Sequence, residues 1–123
     1  MTKILIIDDD VVFQKTMATK FEEKSYEIVV ASDGEEGLAK ALTEKPDLIL
    51  LDIMMPKLDG LGFLKKLRAD ENAPKIPILI TSNLSAIDKI SEGIALGVKG
   101  YIIKSNETLD TIVREVETVL KNQ

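Results

Sequence analysis

Five short apolar runs recur along the chain, and each is followed by a stretch with the periodicity of an amphipathic helix. The runs are Lys3–Ile7, Ile28–Val30, Leu48–Leu51, Ile78–Ile80 and Gly100–Lys104. Every connection between them is long enough for a crossover, which predicts a parallel sheet with right-handed crossovers and helices on both faces. The pattern therefore predicts a doubly wound α/β fold with five helices in three αβα layers. For the five strands we expect the order 2-1-3-4-5, one of the common orders of such folds.

Apolar residues spaced three or four apart predict which side of each helix is buried. The predicted buried stripes, helix by helix, are: first, Phe13, Met17 and Phe21, in a helix ending near Lys24; second, Leu38, Ala41 and Leu42; third, Phe63, Leu64 and Leu67; fourth, Ile87, Ile90 and Ile94; fifth, Leu109, Ile112, Val113, Val116 and Leu120. Acidic residues before the first three helices are expected to act as N-caps: Asp10, Asp33 and Asp59. Gly97 is expected to end the fourth helix with a positive φ.

Polar and charged side chains stand where the predicted strands end. Asp8 and Asp9 follow the first strand, and Asp52 closes the run Leu48–Leu51. The fourth strand is followed by Thr81 and Ser82, and the fifth ends on Lys104. Because the carboxyl ends of parallel strands share one edge of a sheet, these groups are expected to meet in one crevice.

Grouped carboxylates need a compensating charge. Two of them about 4 Å apart repel by roughly 4 kcal/mol at an effective dielectric constant of about 20. Either one is protonated or a cation lies between them, and oxygen ligands without His or Cys favour Mg²⁺, with Mn²⁺ as the other candidate. A lysine and a hydroxyl beside such a cation can bind phosphoryl oxygens, and aspartate is a known nucleophile in phosphoryl transfer. We therefore interpret Asp52 as a phosphoryl acceptor.

Composition excludes several other kinds of chemistry. The 123 residues contain no histidine and no cysteine, which rules out an imidazole or thiolate metal site and a histidine-based triad. The net charge of −5 argues against nucleic-acid binding by this chain. No apolar run is long enough to span a membrane and no signal peptide is visible, so we expect a cytoplasmic protein.

Each of these signals also has a purely structural interpretation. Acidic residues after a strand often only cap the next helix, a strand-end aspartate such as Asp52 can be structural, and Lys104 alone could be a solvated lysine. Thr81 and Ser82 could simply satisfy a loop. The functional hypothesis depends on their joint placement at four strand ends.

In order and spacing, the chain resembles a response-regulator receiver domain of two-component signalling. The matching segments are IIDDD, LLDIMMPKLDG, PILIT with its following hydroxyl, and GYIIK. The resemblance covers the whole chain and implies a flavodoxin-like fold and a single receiver domain over residues 1–123, with no output domain. It also implies that the protein is a signalling receiver that catalyses its own phosphorylation and dephosphorylation, and that it is not a dedicated enzyme.

The resemblance assigns roles by position. Asp52 would be phosphorylated, Asp9 would bind Mg²⁺ directly, and Asp8 would act through water in the acidic pocket. The backbone carbonyl of Met54 would complete the metal ligands, and Lys104 would bind the phosphoryl group. Ser82 would be the switch hydroxyl, with Thr81 less consistent with the family's spacing, and Tyr101 the switch aromatic.

The resemblance also implies partners. They are a histidine kinase or a histidine phosphotransfer protein, and a downstream protein target or a missing output domain. The kinase would contact the exposed side of the first helix near Gln14 and Ala18. Phosphorylation would change the surface of the fourth helix, fifth strand and fifth helix, in a monomer or a phosphorylation-dependent dimer without membrane contact.

Four positions depart from the family pattern or flank its site. Ser105 replaces the usual proline after Lys104, so the cis peptide bond typical there is expected to be absent. Asn83 replaces a small residue and could crowd or hydrogen-bond the phosphoryl site. Met54 and Leu84 offer no polar group to orient a hydrolytic water, which predicts a long-lived phosphoryl group.

Three other functions fit parts of the pattern. A receiver fold that mediates interactions without phosphorylation is favoured by Ser105 and Asn83. A Mg²⁺-dependent aspartyl phosphatase would need a second carboxylate two residues after the nucleophile, where Met54 stands. A flavin-binding protein would need hydroxyls and amides in the first loop, where Asp8, Asp9 and Asp10 would repel a phosphate.

Overall fold

The structure, a computed structural model, describes the backbone of residues 1–123 and all side chains except those of residues 84 and 85. The strands are β1 Lys3–Ile7, β2 Glu27–Ala31, β3 Leu48–Asp52, β4 Ile78–Ser82 and β5 Gly100–Ile103. The helices are α1 Val11–Glu22, α2 Gly34–Glu44, α3 Gly60–Ala69, α4 Ile90–Ala95 and α5 Leu109–Lys121, with 3-10 turns at Leu84–Lys89 and Lys104–Asn106. Among the described residues, no helix combines the length and apolar character that crossing a membrane requires.

The strands form one parallel sheet in the order β2-β1-β3-β4-β5, which confirms the predicted topology. The central strand β3 is buried at every position. This is expected of a run that is apolar up to its last residue, because both faces of such a sheet are covered by helices. The last residue of that buried strand is Asp52 itself.

Alternation along the strands divides the core between the two faces of the sheet. One cluster joins the even-numbered residues of β1 and β3 to α1 and α5, including Met17, Phe21 and Val116. The other joins the odd-numbered residues of those strands to α2, α3 and the segment before α4, including Phe63 and Leu67. The predicted inward stripes of α1 and α3 therefore pack as expected.

Helix ends follow the predicted capping chemistry. The side chains of Asp10, Asp33 and Asp59 each accept a backbone N–H at the start of a helix, as predicted. Gly97 has a φ of +87°, which confirms that it stops α4 with a left-handed residue.

The predicted buried stripe of the fourth helix is wrong. Ile87 is 53% exposed and Ile94 52% exposed, and only Ile90 of the three is buried. The segment begins as a 3-10 turn and becomes α-helical only at Ile90, so the helical register assumed from the sequence does not hold across it. The inward residues are Ala86, Ile90 and Gly93.

Two smaller expectations also need correction. Leu109 was expected in the buried stripe of α5, but it is 38% exposed at the first turn. Gln14 was expected on the exposed side of α1, but it is buried. Gln14 precedes Met17 by three residues and Phe21 by seven, so helical geometry places it on their face.

Candidate functional site

The ends of β1 and β3 bring two aspartates together inside the protein. Ile7 is in register with Leu51, so Asp8 and Asp52 are adjacent where the two strands end. Asp8 is 1% exposed and Asp52 3% exposed, whereas Asp9 is exposed. One carboxylate oxygen from each of the three lies within 4.8 Å of the others. The predicted acidic cluster therefore exists, with two members buried.

Lys104 supplies the positive charge of this cluster. It follows β5, and its Nζ donates to Asp8 Oδ2 at 2.6 Å and lies 3.9 Å from Asp52 Oδ2. Its side chain is only 13% exposed, so water screens these contacts weakly. One ammonium balances one of three carboxylates, which leaves the pocket with excess negative charge.

The electrostatics of the pocket raise the pKa of both buried carboxyls. Burial is the largest cause for Asp52, repulsion from Asp8 adds to it and Lys104 opposes it, which brings the pKa of Asp52 to about 7. Burial also raises the pKa of Asp8 above its usual range, against the hydrogen bond from Lys104. The pocket thus favours either a proton or a second cation at neutral pH.

The loop after β1 is held by a residue that the sequence analysis did not assign to the site. The backbone N–H of Asp10 donates to Asp8 Oδ1 at 2.9 Å. The Gln14 side-chain amide donates to the Asp8 carbonyl and, at 3.1 Å, to Ser32 Oγ. Gln14 therefore ties the loop that carries Asp8 to the loop after β2. The spacing of Gln14 from Met17 and Phe21 is the sequence feature that indicates its place on the buried face of α1.

Asp52 is held by close packing of the backbone beneath it. The N–H of Gly60 donates to the Ile53 carbonyl at 2.9 Å. A Cβ at Gly60 would lie 2.4 Å from the Asp52 carbonyl oxygen, so only glycine fits. Met54 contributes a long contact of 3.4 Å from its N–H to Asp52 Oδ1, and its side chain is exposed.

Both candidate hydroxyls are buried at the end of β4. Thr81 is in register with Asp52, and Ser82 is in register with Ile103, the residue before Lys104. Within the described part of the chain, Ser82 Oγ is the buried side-chain oxygen or nitrogen that has no hydrogen-bond partner. A buried hydroxyl without a partner is costly, so it is available for an acceptor that enters the pocket.

The remaining predicted residues follow β4 or lie on and after β5. Tyr101 is 47% exposed on β5, and Asn83 is exposed after β4. Ser105 lies in the 3-10 turn after Lys104, and the described backbone contains no cis peptide bond, as expected there. The predicted apolar flank at Leu84 lies outside the described side chains.

This donor set fits a hard divalent cation. Three carboxylates converge, two of them are buried and disfavour ionisation, and the ligand atoms are all oxygens. A parallel sheet with this strand order, a buried acidic cluster and a lysine at its carboxyl edge defines an α/β protein of the chemotaxis-regulator type.

Comparison with known families agrees with that class. The sequence model described as "Response regulator receiver domain" matches residues 4–117. The chain therefore belongs to the response-regulator receiver family.

Curated relatives include longer regulators. The chain is 44% identical over 103 residues to the alkaline phosphatase synthesis transcriptional regulatory protein PhoP of Bacillus subtilis (strain 168), covering 83% of this chain and 42% of that protein. It is 40% identical over 116 residues to the probable transcriptional regulator ycf27 of Guillardia theta, covering 93% of this chain and 44% of that protein. The chain thus spans less than half the length of these relatives.

Solved structures give the same fold over nearly the full chain. The Francisella response regulator 1452 receiver domain has a TM-score of 0.87 and 34% identity, with 99% of this chain and 98% of that chain covered. Vibrio cholerae chemotaxis protein CheY4 has a TM-score of 0.86 and 30% identity, with 97% and 98% covered. The flavodoxin-like architecture predicted from the sequence is therefore shown.

Proposed function

We propose that this chain is the phosphoacceptor switch of a two-component or phosphorelay system, and that Asp52 accepts the phosphoryl group. The observation that carries the proposal is the burial of the Asp52 carboxylate beside Asp8, with the Lys104 ammonium 3.9 Å away. A structural aspartate would be expected to have its charge satisfied by its neighbours. Here burial and repulsion instead raise its pKa to about 7.

In the proposed reaction a partner histidine kinase or histidine phosphotransfer protein presents a phosphohistidine. A carboxylate oxygen of Asp52 attacks the phosphorus in line with the P–N bond. That bond breaks and its electron pair returns to the imidazole nitrogen. Lys104 stabilises the negative charge of the phosphoryl oxygens, so the receiver itself supplies much of the electrostatic catalysis.

The proposed metal ligands are Asp9, Asp52 and the backbone carbonyl of Met54, with Asp8 acting through water. Mg²⁺ is the favoured ion and Mn²⁺ the alternative, because the donors are oxygens. When bound, the ion supplies positive charge against the carboxylates and the phosphoryl group. The raised pKa values of Asp8 and Asp52 support this assignment, since a neighbouring cation would favour the ionised forms.

The proposed switch involves the Ser82 hydroxyl, which has no hydrogen-bond partner among the described side chains. A phosphoryl oxygen on Asp52 would give this hydroxyl an acceptor, and Tyr101 on the neighbouring strand would change its burial in response. The surface of α4, β5 and α5 would then change. Thr81 is the alternative switch hydroxyl, because it is the residue in register with Asp52.

The proposed partners follow from the relatives. Two relatives bear the names of transcriptional regulators, and the segment of each that matches this chain is less than half of its length. We propose that residues 1–123 act as one cytoplasmic receiver domain. Its output would be a downstream protein or an attached domain, and it would not bind nucleic acid itself. A monomer or a phosphorylation-dependent dimer would fit this role.

Incubation with acetyl phosphate and Mg²⁺, followed by intact-mass measurement, tests the proposal. We expect one added phosphoryl group on the wild type, none on Asp52→Asn and one on Asp70→Asn. Asp70 is the matched control because its carboxylate is exposed and remote from the cluster. Unmodified wild type that binds Mg²⁺ would contradict the switch and favour the phosphorylation-independent interaction module.

A further inference from the structure

We infer that Phe13 is a positioning residue for Lys104, holding the lysine ammonium at the carboxylates through the face of its ring. The Lys104 Nζ lies 4.3 Å from the centroid of the Phe13 ring. The same atom donates to Asp8 at 2.6 Å and lies 3.9 Å from Asp52. The ammonium is thus bounded by two carboxylates and one aromatic face. The inference rests on the proposed function of Lys104 in phosphoryl transfer.

The distance is within the range of a cation–π interaction, which extends to about 6 Å from the ring centroid. Such interactions strengthen when the cation has lost water, and the Lys104 side chain is only 13% exposed. The ring is a neutral contact, so it restrains the ammonium without competing for its charge as a third carboxylate would. It therefore leaves the ammonium free to bind phosphoryl oxygens.

The position of Phe13 is itself fixed by the helix cap. Asp10 accepts hydrogen bonds from the N–H groups of Val12 at 3.0 Å and Phe13 at 3.1 Å. The Phe13 side chain also packs partly buried against the cluster under α1 and α5. The cap and the core together hold the ring beside the Lys104 ammonium, where it can restrain a flexible side chain.

The backbone around Lys104 does not by itself fix the position of the lysine ammonium, so a contact with the side chain is needed. Ser105 follows Lys104, and serine does not restrict the backbone of the preceding residue as a proline would. The lysine stem has four rotatable bonds, whose ordering costs entropy. Contact with the Phe13 ring limits the positions that the ammonium can occupy before the phosphoryl group arrives.

A purely structural role makes a different prediction. If Phe13 only fills the edge of the core, an apolar residue of similar volume should replace it with little effect on the chemistry. If the ring face matters, the reaction should follow the electron density of that face. Fluorination separates the two roles, because it withdraws electron density from the ring face and changes its shape little.

The experiment measures the second-order rate of Asp52 phosphorylation by acetyl phosphate in Mg²⁺. Phenylalanine with one, two and three ring fluorines is incorporated at position 13, beside Phe13→Tyr and Phe13→Leu. We expect a stepwise decrease with fluorination, a decrease of about tenfold for Phe13→Leu and near wild-type rates for Phe13→Tyr. Equal rates across the fluorinated series would overturn the inference.

A double-mutant cycle shows whether the effect passes through Lys104. In a Lys104→Ala background we expect Phe13→Leu to leave the residual rate unchanged. A decrease of similar size with and without the lysine would assign Phe13 a general structural role and overturn the inference. Urea unfolding of each variant shows which changes come from stability.

A readout independent of phosphorylation separates this inference from the proposed function. The ring current of Phe13 should shift the NMR signals of the Lys104 Cε and Nζ groups, and Phe13→Leu should remove that shift. An unchanged lysine signal would overturn the contact. Wild type that takes no phosphate, while its lysine signal responds to Phe13, would instead overturn the proposed function alone.

Discussion

The end of β3 and the segment from β4 to α4 lie side by side but are built differently. At the end of β3, the backbone beneath Asp52 is so tightly packed that a Cβ at Gly60 would lie 2.4 Å from a carbonyl oxygen. Beyond β4, a 3-10 turn leads into a helix of six residues, with Ile87 and Ile94 exposed. The Ser82 hydroxyl between them lies buried and unpartnered among the described residues.

The difference distinguishes a region that fixes geometry from a region that would change it in the proposed switch. A nucleophile must be held in place to react, and close backbone packing would hold Asp52 in this way in its proposed role. A responding segment needs a second arrangement of similar free energy, and unburied apolar groups and an unmade hydrogen bond leave room for one. The contrast supports the proposed transfer of information from Asp52 through Ser82 towards α4.

Matched glycine substitutions should show the largest difference between the two regions. For Gly60→Ala we expect a loss of about 3 kcal/mol or more in the free energy of unfolding, because the new Cβ meets backbone atoms. For Gly93→Ala in α4 we expect a loss of about 1 kcal/mol or less. The Cβ there meets the tip of the Ile80 side chain, which can move, and alanine favours the helix.

Urea unfolding of the two variants measures both changes. Acetyl phosphate labelling should fall for Gly60→Ala even in the folded fraction, because Asp52 is displaced, and should persist for Gly93→Ala. Equal losses of stability would contradict the proposed contrast between a rigid and a permissive region.

The pH dependence of stability should show an intermediate effect. The pKa of Asp52 is about 7 in the folded protein because burial and Asp8 disfavour its charge. Between about pH 4 and pH 7 the folded state therefore binds more protons than the unfolded state. Without divalent cations, the free energy of unfolding should fall as pH rises through this window, and this contribution should level off above about pH 7.

Urea unfolding at several pH values, in the presence of a chelator, checks this slope. Asp52→Asn should flatten it in part, leaving the contribution of Asp8, whose pKa is also raised. Asp70→Asn should leave the slope as in the wild type. A wild-type stability that rises between about pH 5 and pH 7 would contradict the raised pKa of Asp52.

Ser82→Ala should have the smallest effect on stability. Because the hydroxyl makes no hydrogen bond within the described structure, its removal should change the free energy of unfolding by less than about 1 kcal/mol in either direction. The same substitution should weaken the proposed response of Tyr101 to phosphorylation, measured by tyrosine fluorescence against a Tyr26→Phe background. A loss above about 2 kcal/mol would mean that the hydroxyl is already bonded.

The regular strands and the irregular segment before α4 also differ in how well the sequence predicts them. The strands and the cluster of Asp8, Asp52 and Lys104 were predictable because apolar runs define buried strands and parallel strands end at one edge. The prediction that Ile87, Ile90 and Ile94 form a buried stripe is wrong because a 3-10 turn breaks the helical period that the pattern assumes.

Side-chain partners were harder to predict than positions in the fold. Gln14 has the spacing of a core residue, but only the structure shows that its amide reaches the Asp8 carbonyl and Ser32. The contact of Phe13 with Lys104 joins residues from opposite ends of the chain, and no local pattern encodes it. That Ser82 Oγ has no partner among the described residues likewise depends on how the neighbouring elements place their polar groups.

Gln14 holds the loop that carries Asp8 through hydrogen bonds from a neutral amide. A lysine or arginine in its place could make similar hydrogen bonds, but it would also weaken the negative potential that attracts a cation. Because the Gln14 amide is neutral, one side chain holds the conformation of the loop and other side chains set the electrostatic potential of the pocket. Substitutions at the carboxylates could therefore change the proposed affinity for a cation and leave in place the Gln14 hydrogen bonds that hold the loop.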